Sequence, residues 1–579
     1  MAKIKTAPEK KNEPCQAQLI YEKVLGFGTL FLVLMHMLLA LCRYVFDPFI
    51  FRPFESWYLV VLIAGAFVYP ILCLILWRDT LPRLGIFLKR LVSPAQIFCM
   101  LLFAWYILSC LINQNEYDTP YFELNDWWLL DAFVNCIILF SLPRILSEGK
   151  AKKYIHLLLH VIVLCGTAIA VYALYCLFTL NIVTLSAGGQ IGMARNETFY
   201  IGAHYNICAA IELTMILVCL YMLSSQKWLL KILYALALLV HTYVLLLNNS
   251  RTAFVACMCS YALALFLMLW NGLYQKPALL RWIAGFAGAA AAAGIIWTVR
   301  PWSFQLFENV THFSELLALQ QSSDTGSFLN NAAYTAPCLI QNAPQLTSAV
   351  SSSLFLLLPG GWISRKKAKR LAVIPAAALI FALACVFAPG RQADESAVYI
   401  YEAQPTVMNA IFMQESSAFL NQAADEGEKA VRKLSDPMNR EPIWRSAVNV
   451  MKGGPLFFFF GVTPIGVSTA LREIGGLYFD AAHAHNELLQ MGVALGVPMM
   501  VLFAAFLVYM TVKSVRLGMI EGRKHFQGAY LVPIVFAGLA VLTLAEAYLF
   551  GYFCIMSSIF FLFCGWINAL TDKKVKDKM

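Results

Sequence analysis

A chain of 579 residues, 60% hydrophobic and only 13% charged, with a mean hydropathy of +0.68, has too little polar surface to cover a soluble core of its size. Apolar runs close to the ~20 residues that cross a ~30 Å hydrocarbon layer recur throughout, so an all-α, polytopic integral membrane protein with about 14 spans (range roughly 12–14) is expected. The net charge of +10 does not mark a nucleic-acid binder, because Lys and Arg sit in short clusters between apolar runs rather than on a continuous basic face with interleaved aromatics.

Residues 1–23 read as a basic cytoplasmic segment, and the first apolar run, with no small-residue cleavage site after it, as a retained helix. Spans are expected near 24–42, 58–77, 95–112, 127–142, 155–179, 204–224, 231–248, 252–271 and 281–298, which together make a first membrane bundle over 24–299. Residues 300–346 are rich in Ser, Asn and Gln and read as an irregular extracytoplasmic loop. An extra helix pair follows near 347–361 and 371–388. Residues 389–487 have ordinary soluble composition and read as a large extracytoplasmic loop, with an amphipathic helix around 415–434. The last spans fall near 488–512, 529–551 and 552–568, and 569–579 is a basic tail.

With both termini inside, about 30 of the 43 basic residues fall on the inner side, as topology rules require. The acidic, aromatic segment 113–126 then becomes an outer loop followed by the interfacial anchors Trp127 and Trp128. The cysteines lie almost all inside apolar runs (Cys73, Cys99, Cys165 and Cys208 among them) and read as small buried hydrophobes, neither disulfides nor metal ligands.

Four features on the outer side could carry chemistry. Asn248-Asn249-Ser250-Arg251-Thr252 ends one span and begins the next. Its arginine either snorkels to headgroups or grips phosphate oxygens in a planar fork. Asn439-Arg440-Glu441-Pro442-Ile443-Trp444-Arg445 is either an ordinary helix start or a cationic, aromatic surface for an anionic or sugar ligand. In His483-Ala484-His485-Asn486-Glu487, spacing i, i+2 separates two imidazoles along a strand or a helix, so they share no metal unless a turn intervenes. A neutral imidazole is a natural general base; the bland alternative is a polar cap with Asn486 as N-cap. Gly202-Ala203-His204-Tyr205-Asn206 begins a span, with Glu212 two turns deeper, and Glu546 lies near the outer end of another. Buried carboxyls there are functional candidates or structural hydrogen-bond partners. His36, His160 and His241 sit in apolar runs without a partner motif and read as core.

His483-x-His485-Asn486-x-x-x-Gln490 with Gly492 and Leu495-Gly496-Val497-Pro498 resembles the histidine motif of the O-antigen ligase and O-antigen polymerase superfamily. Arg440-x-x-x-Trp444 with Gly454-Pro455-Leu456 and Gly461-Val462 resembles the loop sequence upstream of it. Ser250-Arg251-Thr252 is similar to that family's mid-chain arginine, and Gly202-x-x-x-Asn206 to an earlier loop motif. The likeness runs over roughly 200–550. Thr463 stands where the family usually has glycine, and the 347–388 pair interrupts its expected loop.

The resemblance implies a glycosyltransferase C-like helical bundle that moves a glycan from a polyprenyl-diphosphate carrier to an acceptor hydroxyl at the outer face of the plasma membrane, with inversion and without cofactor or metal. It implies Arg251 and Arg440 on the diphosphate and His485 as base. His483, Asn486, Trp444, Arg445, His204 and Asn206 would contact substrate, and Glu546 would support the histidine. Expected partners are membrane lipid, the lipid-linked oligosaccharide donor, and a glycan, lipid or protein hydroxyl as acceptor. The alternatives are ligation to a lipid core or protein, and a flippase for the same lipid-linked glycan, which would line its mid-membrane path with charge.

Overall fold

The computed structural model describes residues 30–42, 93–113, 129–146, 148–178, 183–184, 190–195, 198–202, 205–226, 228–248, 250–311, 440–478, 481, 483–550 and 554–572. The expected spans 58–77, 347–361 and 371–388, the helix around 415–434, and His204 lie outside them. The helices are α1 (Leu30–Cys42), α2 (Pro94–Ile112), α3 (129–145, with a π-helical stretch Val134–Leu139) and α4 (Glu148–Phe178). After β1–β3 come α5 (Tyr205–Ser225), α6 (Trp228–Asn248), α7 (Arg251–Gly272) and α8 (Ala278–Thr311). The second described block holds α9 (Arg440–Lys452), α10 (Pro455–Phe460) and α11 (Thr463–Glu473). It ends with α12 (Glu487–Leu495), α13 (Val497–Arg516), α14 (Val532–Thr543) and α15 (Ile555–Thr571).

Seven described helices are long and apolar enough to cross a membrane, and three shorter apolar ones accompany them. The chain is therefore a helical membrane protein. One small antiparallel sheet interrupts the all-α expectation: β1 (Val183–Thr184), β2 (Gln190–Arg195) and β3 (Thr198–Gly202), with a register shift between Ile191 and Met193. It lies just before α5, in a stretch too polar to hold a membrane helix.

Helix α5 is buried on every side of its apolar span, as expected of a helix apolar all round. Helices α4, α6, α7, α14 and α15 pack on it. Three histidines expected to be plain core have polar partners instead. His36 Nε2 lies 3.2 Å from Asp131 Oδ1, His160 pairs with the Tyr234 hydroxyl, and His241 joins Glu212 at 2.5 Å and Thr167 at 3.0 Å. Periodicity sorts faces of a helix but does not reveal which neighbouring helix brings a polar partner to an apolar face.

Three expectations about helix ends are corrected. First, α8 continues as helix through 300–311, although that stretch reads as the start of an irregular loop. Second, the run expected as one span from 488 is broken at Gly496, where φ is 91°, and the next helix starts at Val497 with Pro498 in its first turn.

Third, the run expected as a helix over 529–551 stops at Thr543, and 546–550 are not helical. The Glu487 carboxyl oxygens accept the backbone N–H of Leu549 (2.9 Å) and Phe550 (3.1 Å), and Ser557 Oγ donates to Leu549 O at 2.5 Å. These contacts satisfy polar backbone that apolar surroundings would otherwise leave bare. The break is made by residues remote in sequence, so composition alone does not reveal it.

The loop helices α9–α11 are locked to α12 by two glycines. The Val462 N–H donates to Val493 O at 2.9 Å. A Cβ on Gly461 (φ 67°) would sit 2.4 Å from the Ala494 carbonyl carbon, and one on Gly496 would sit 2.2 Å from Phe459 O. Trp105 of α2 closes the junction, donating from its indole to Leu495 O at 3.0 Å. Thr463 follows with φ 65°, a left-handed conformation that a β-branched residue adopts only under strain and glycine adopts freely. Gly496→Ala should lower stability by about 2 kcal/mol or more, from backbone strain plus overlap with fixed main chain. Thermal unfolding in detergent checks this; an unchanged midpoint would show that the junction yields.

Candidate active site

Helix α7 runs for 22 residues, about 33 Å, and its two ends differ in chemistry. At its C-terminal end Asn271 donates to Gly518 O (2.9 Å) and accepts from Arg523 Nε (2.9 Å). There the Arg281 guanidinium lies 3.8 Å above the Trp270 ring and Arg523 lies over Tyr274. At its N-terminal end, Thr252 of α7 meets Arg440 at the start of α9, and Arg440 in turn meets Glu546 in the non-helical segment after α14, which also holds His485 just before α12.

Glu546 is the centre of that meeting. Its side chain is 1% exposed, and the Arg440 side chain that faces it is 14% exposed. Arg440 Nη2 donates to Glu546 Oε1 at 2.6 Å, and His485 Nδ1 lies 3.0 Å from Oε2. Arg440 also donates to Thr252 Oγ1, from Nη1 at 3.4 Å and Nη2 at 3.3 Å. A buried carboxylate needs such partners, since an unpaired one costs several kcal/mol, on the order of 3–5 when a partner is removed. As an ionised carboxylate only accepts, the His485 proton belongs on Nδ1, leaving the Nε2 lone pair for chemistry.

The histidine segment is folded tightly. His485 has φ 49°, and its N–H donates to His483 Nδ1 at 3.1 Å. The turn overturns the separation expected from i, i+2 spacing: the two ring centroids are 4.1 Å apart. His483 is buried and lies edge-on to Tyr548 at 5.4 Å. One ligand atom from each of His483, His485 and Glu546 falls within 4.8 Å of the others, close enough for one cation. Asn486 does cap α12, accepting from Leu489 N at 3.1 Å, and also donates to Leu544 O at 2.7 Å. It thereby ties the histidine turn to the segment that carries Glu546.

The other expected residues divide. Asn206, buried at the start of α5, accepts from Ser250 Oγ at 3.4 Å, which ties it to the turn before α7. Arg251 is the first residue of α7 and half-buried, adjacent to Thr252. Trp444 and Arg445 lie on the exposed side of α9, and Arg445 pairs with Glu441 at 2.7 Å. Arg445 thus answers a surface carboxylate on its own helix rather than Glu546. Tyr548 joins the site from a run with no motif to mark it, whereas Thr252 and Glu487 lie within the arginine and histidine motifs, where the sequence assigns them no role of their own. Compared with models of known protein families and with curated proteins, the chain matches none.

Such a site can hold an anion against a fixed guanidinium while presenting an imidazole nitrogen oriented by a carboxylate. Glu546→Gln leaves the Arg440 charge without its counter-ion and should cost about 3 kcal/mol; thermal unfolding of wild type and variant reads this, and equal midpoints would refute the pairing. Burial raises the Glu487 carboxyl to about 8, opposed by the N–H groups of Leu549, Phe550 and Tyr548. A raised acid stabilises the fold fully below its ordinary value of 4.5 and loses that contribution as pH rises through about 8. The unfolding midpoint of wild type should therefore fall over this window relative to Glu487→Gln; parallel profiles would contradict the assignment.

Proposed function

We propose that the chain is a membrane glycosyltransferase of the O-antigen ligase and polymerase type, acting on a polyprenyl-diphosphate-linked glycan. The observation that carries this reading is the continuous set of contacts His483–His485–Glu546–Arg440–Thr252 at the end of α7 opposite Arg281 and Arg523. Basic residues tied down at one end favour that end as cytoplasmic, so the site faces outward. In this reading Arg440, together with Arg251, which precedes the Thr252 that Arg440 contacts, holds the diphosphate and stabilises the charge that grows as the anomeric bond breaks. His485 Nε2 takes the acceptor hydroxyl's proton, the oxygen attacks the anomeric carbon from the opposite face, and the carrier diphosphate leaves. Glu546 fixes the tautomer and stabilises the imidazolium that forms. The left-handed backbone at Thr463, where the family usually carries glycine, adds support to the resemblance.

Polymerisation is the favoured form of the reaction, with ligation to a lipid core or protein as its variants; they differ only in the acceptor. A flippase is the second reading, favoured by the His241–Glu212 pair, which sits about 10 Å below the site end by helix rise. That pair is closed, with side chains 0% and 3% exposed, so it lines no open path. Purified protein given the lipid-linked donor should consume it and release carrier diphosphate, and His485→Ala should fall to background while staying folded. Arg251→Lys should also slow turnover, because an ammonium does not reproduce a planar fork on phosphate. Equal product formation by wild type and His485→Ala would remove the histidine from the reaction, and translocation without consumption would favour the flippase.

A further inference from the structure

We propose that His483, His485 and Glu546 form a binding site for a divalent transition-metal ion of the Zn2+ kind, and that the bound ion inhibits the protein. Three features carry it. The left-handed turn at His485 brings both imidazoles to one side of the segment. The three ligand atoms already lie within 4.8 Å of one another, whereas a tetrahedral ion with bonds near 2.0–2.1 Å sets its ligands about 3.3 Å apart. The His485 Nδ1 to Glu546 Oε2 separation of 3.0 Å is near that spacing, so closure needs only rotation of the His483 ring and small shifts of the others.

The ligand set of two imidazoles and one carboxylate, with a further position open, suits Zn2+, Co2+ or Ni2+ and not Ca2+ or Mg2+, which prefer oxygen. The ion takes the Nδ1 position where the His485 proton meets Glu546; that proton moves by way of solvent to Nε2, so the ring stays neutral, and two nitrogen–metal bonds and one oxygen–metal bond form with no net proton released. Arg440 keeps the other carboxylate oxygen, 2.6 Å away. Its positive charge opposes the ion, which makes the site weaker than a structural zinc centre. This opposition distinguishes the site from any chance pair of histidines: removing Arg440 should tighten ion binding.

Inhibition rests on the transferase reading, since it follows from placing two positive charges beside the base nitrogen; ion binding does not. The test uses the purified full-length protein in nanodiscs and Co2+ as a visible probe. Wild type should give a saturable ligand-field band of four- or five-coordinate cobalt, displaced by one equivalent of Zn2+. Glu546→Gln and His483→Ala should weaken binding by about tenfold or more, and Arg440→Gln should strengthen it. In unmodified protein, Zn2+ should slow carbethoxylation of His483 and His485 but not of the other histidines, a readout free of folding effects. No saturable band, or protection spread evenly over the histidines, would overturn the site. Binding as described with undiminished donor consumption would overturn the inhibition and count against His485 as base, leaving the ion site standing.

Discussion

A single buried carboxylate organises the N-terminal end of α7. Glu546 is nearly inaccessible, and each of its oxygens is taken by a group from a different part of the chain: Arg440 from the loop helices, and His485 from the turn before α12. Burying this charge is tolerable only because both partners are present and themselves held. Much of the surrounding geometry serves that requirement. The end of α14 at Thr543 exposes Glu546 to its partners, Glu487 and Asn486 tether the non-helical segment from the histidine side, and the Gly461–Gly496 crossing fixes α9–α11 against α12. An ion pair that depends on three tethers is a precise device for aligning a cation with an imidazole.

The polarity of the bundle follows from the same arrangement. Arginines at the far end of α7 are spent on Trp270, Tyr274 and Asn271, where cation–π contact and hydrogen bonds anchor them at a membrane boundary. Arg440 instead faces a carboxylate and a threonine hydroxyl, partners that an incoming phosphate can replace or share. The pairs His36–Asp131 and His241–Glu212 are different again: they are sealed in protein and close two otherwise costly polar groups against each other.

The sequence was informative where physics is local. Apolar runs of membrane length located α2, α5–α7 and α15 to within a few residues and found α4 and α8 without the start of the one or the end of the other, and the motif around His485 pointed to the residues that now meet Glu546. It was uninformative where structure is made by distant partners. The apolar run through 551 gave no hint that Glu487 would hold its end open, and the two-residue spacing of the histidines concealed the left-handed turn that brings them together. Arg445 looked equivalent to Arg440 by composition. Five residues further along a helix turns by more than one full revolution, which carries it to the exposed side, where Glu441 holds it. Thr463 is the reverse case: a departure from an expected glycine that the backbone accommodates with a left-handed conformation.

The central claim is that a diphosphate binds where the Arg440 guanidinium and the Glu546-supported imidazole converge. A cryo-electron microscopy structure of the protein in nanodiscs with a non-transferable polyprenyl-diphosphate glycan tests it most directly. The account predicts diphosphate oxygens on Arg440 and Arg251, the prenyl tail along the apolar helices, and the anomeric carbon within reach of an acceptor oxygen hydrogen-bonded to His485 Nε2. Diphosphate density at the opposite end of α7, beside Arg281 and Arg523, would contradict it.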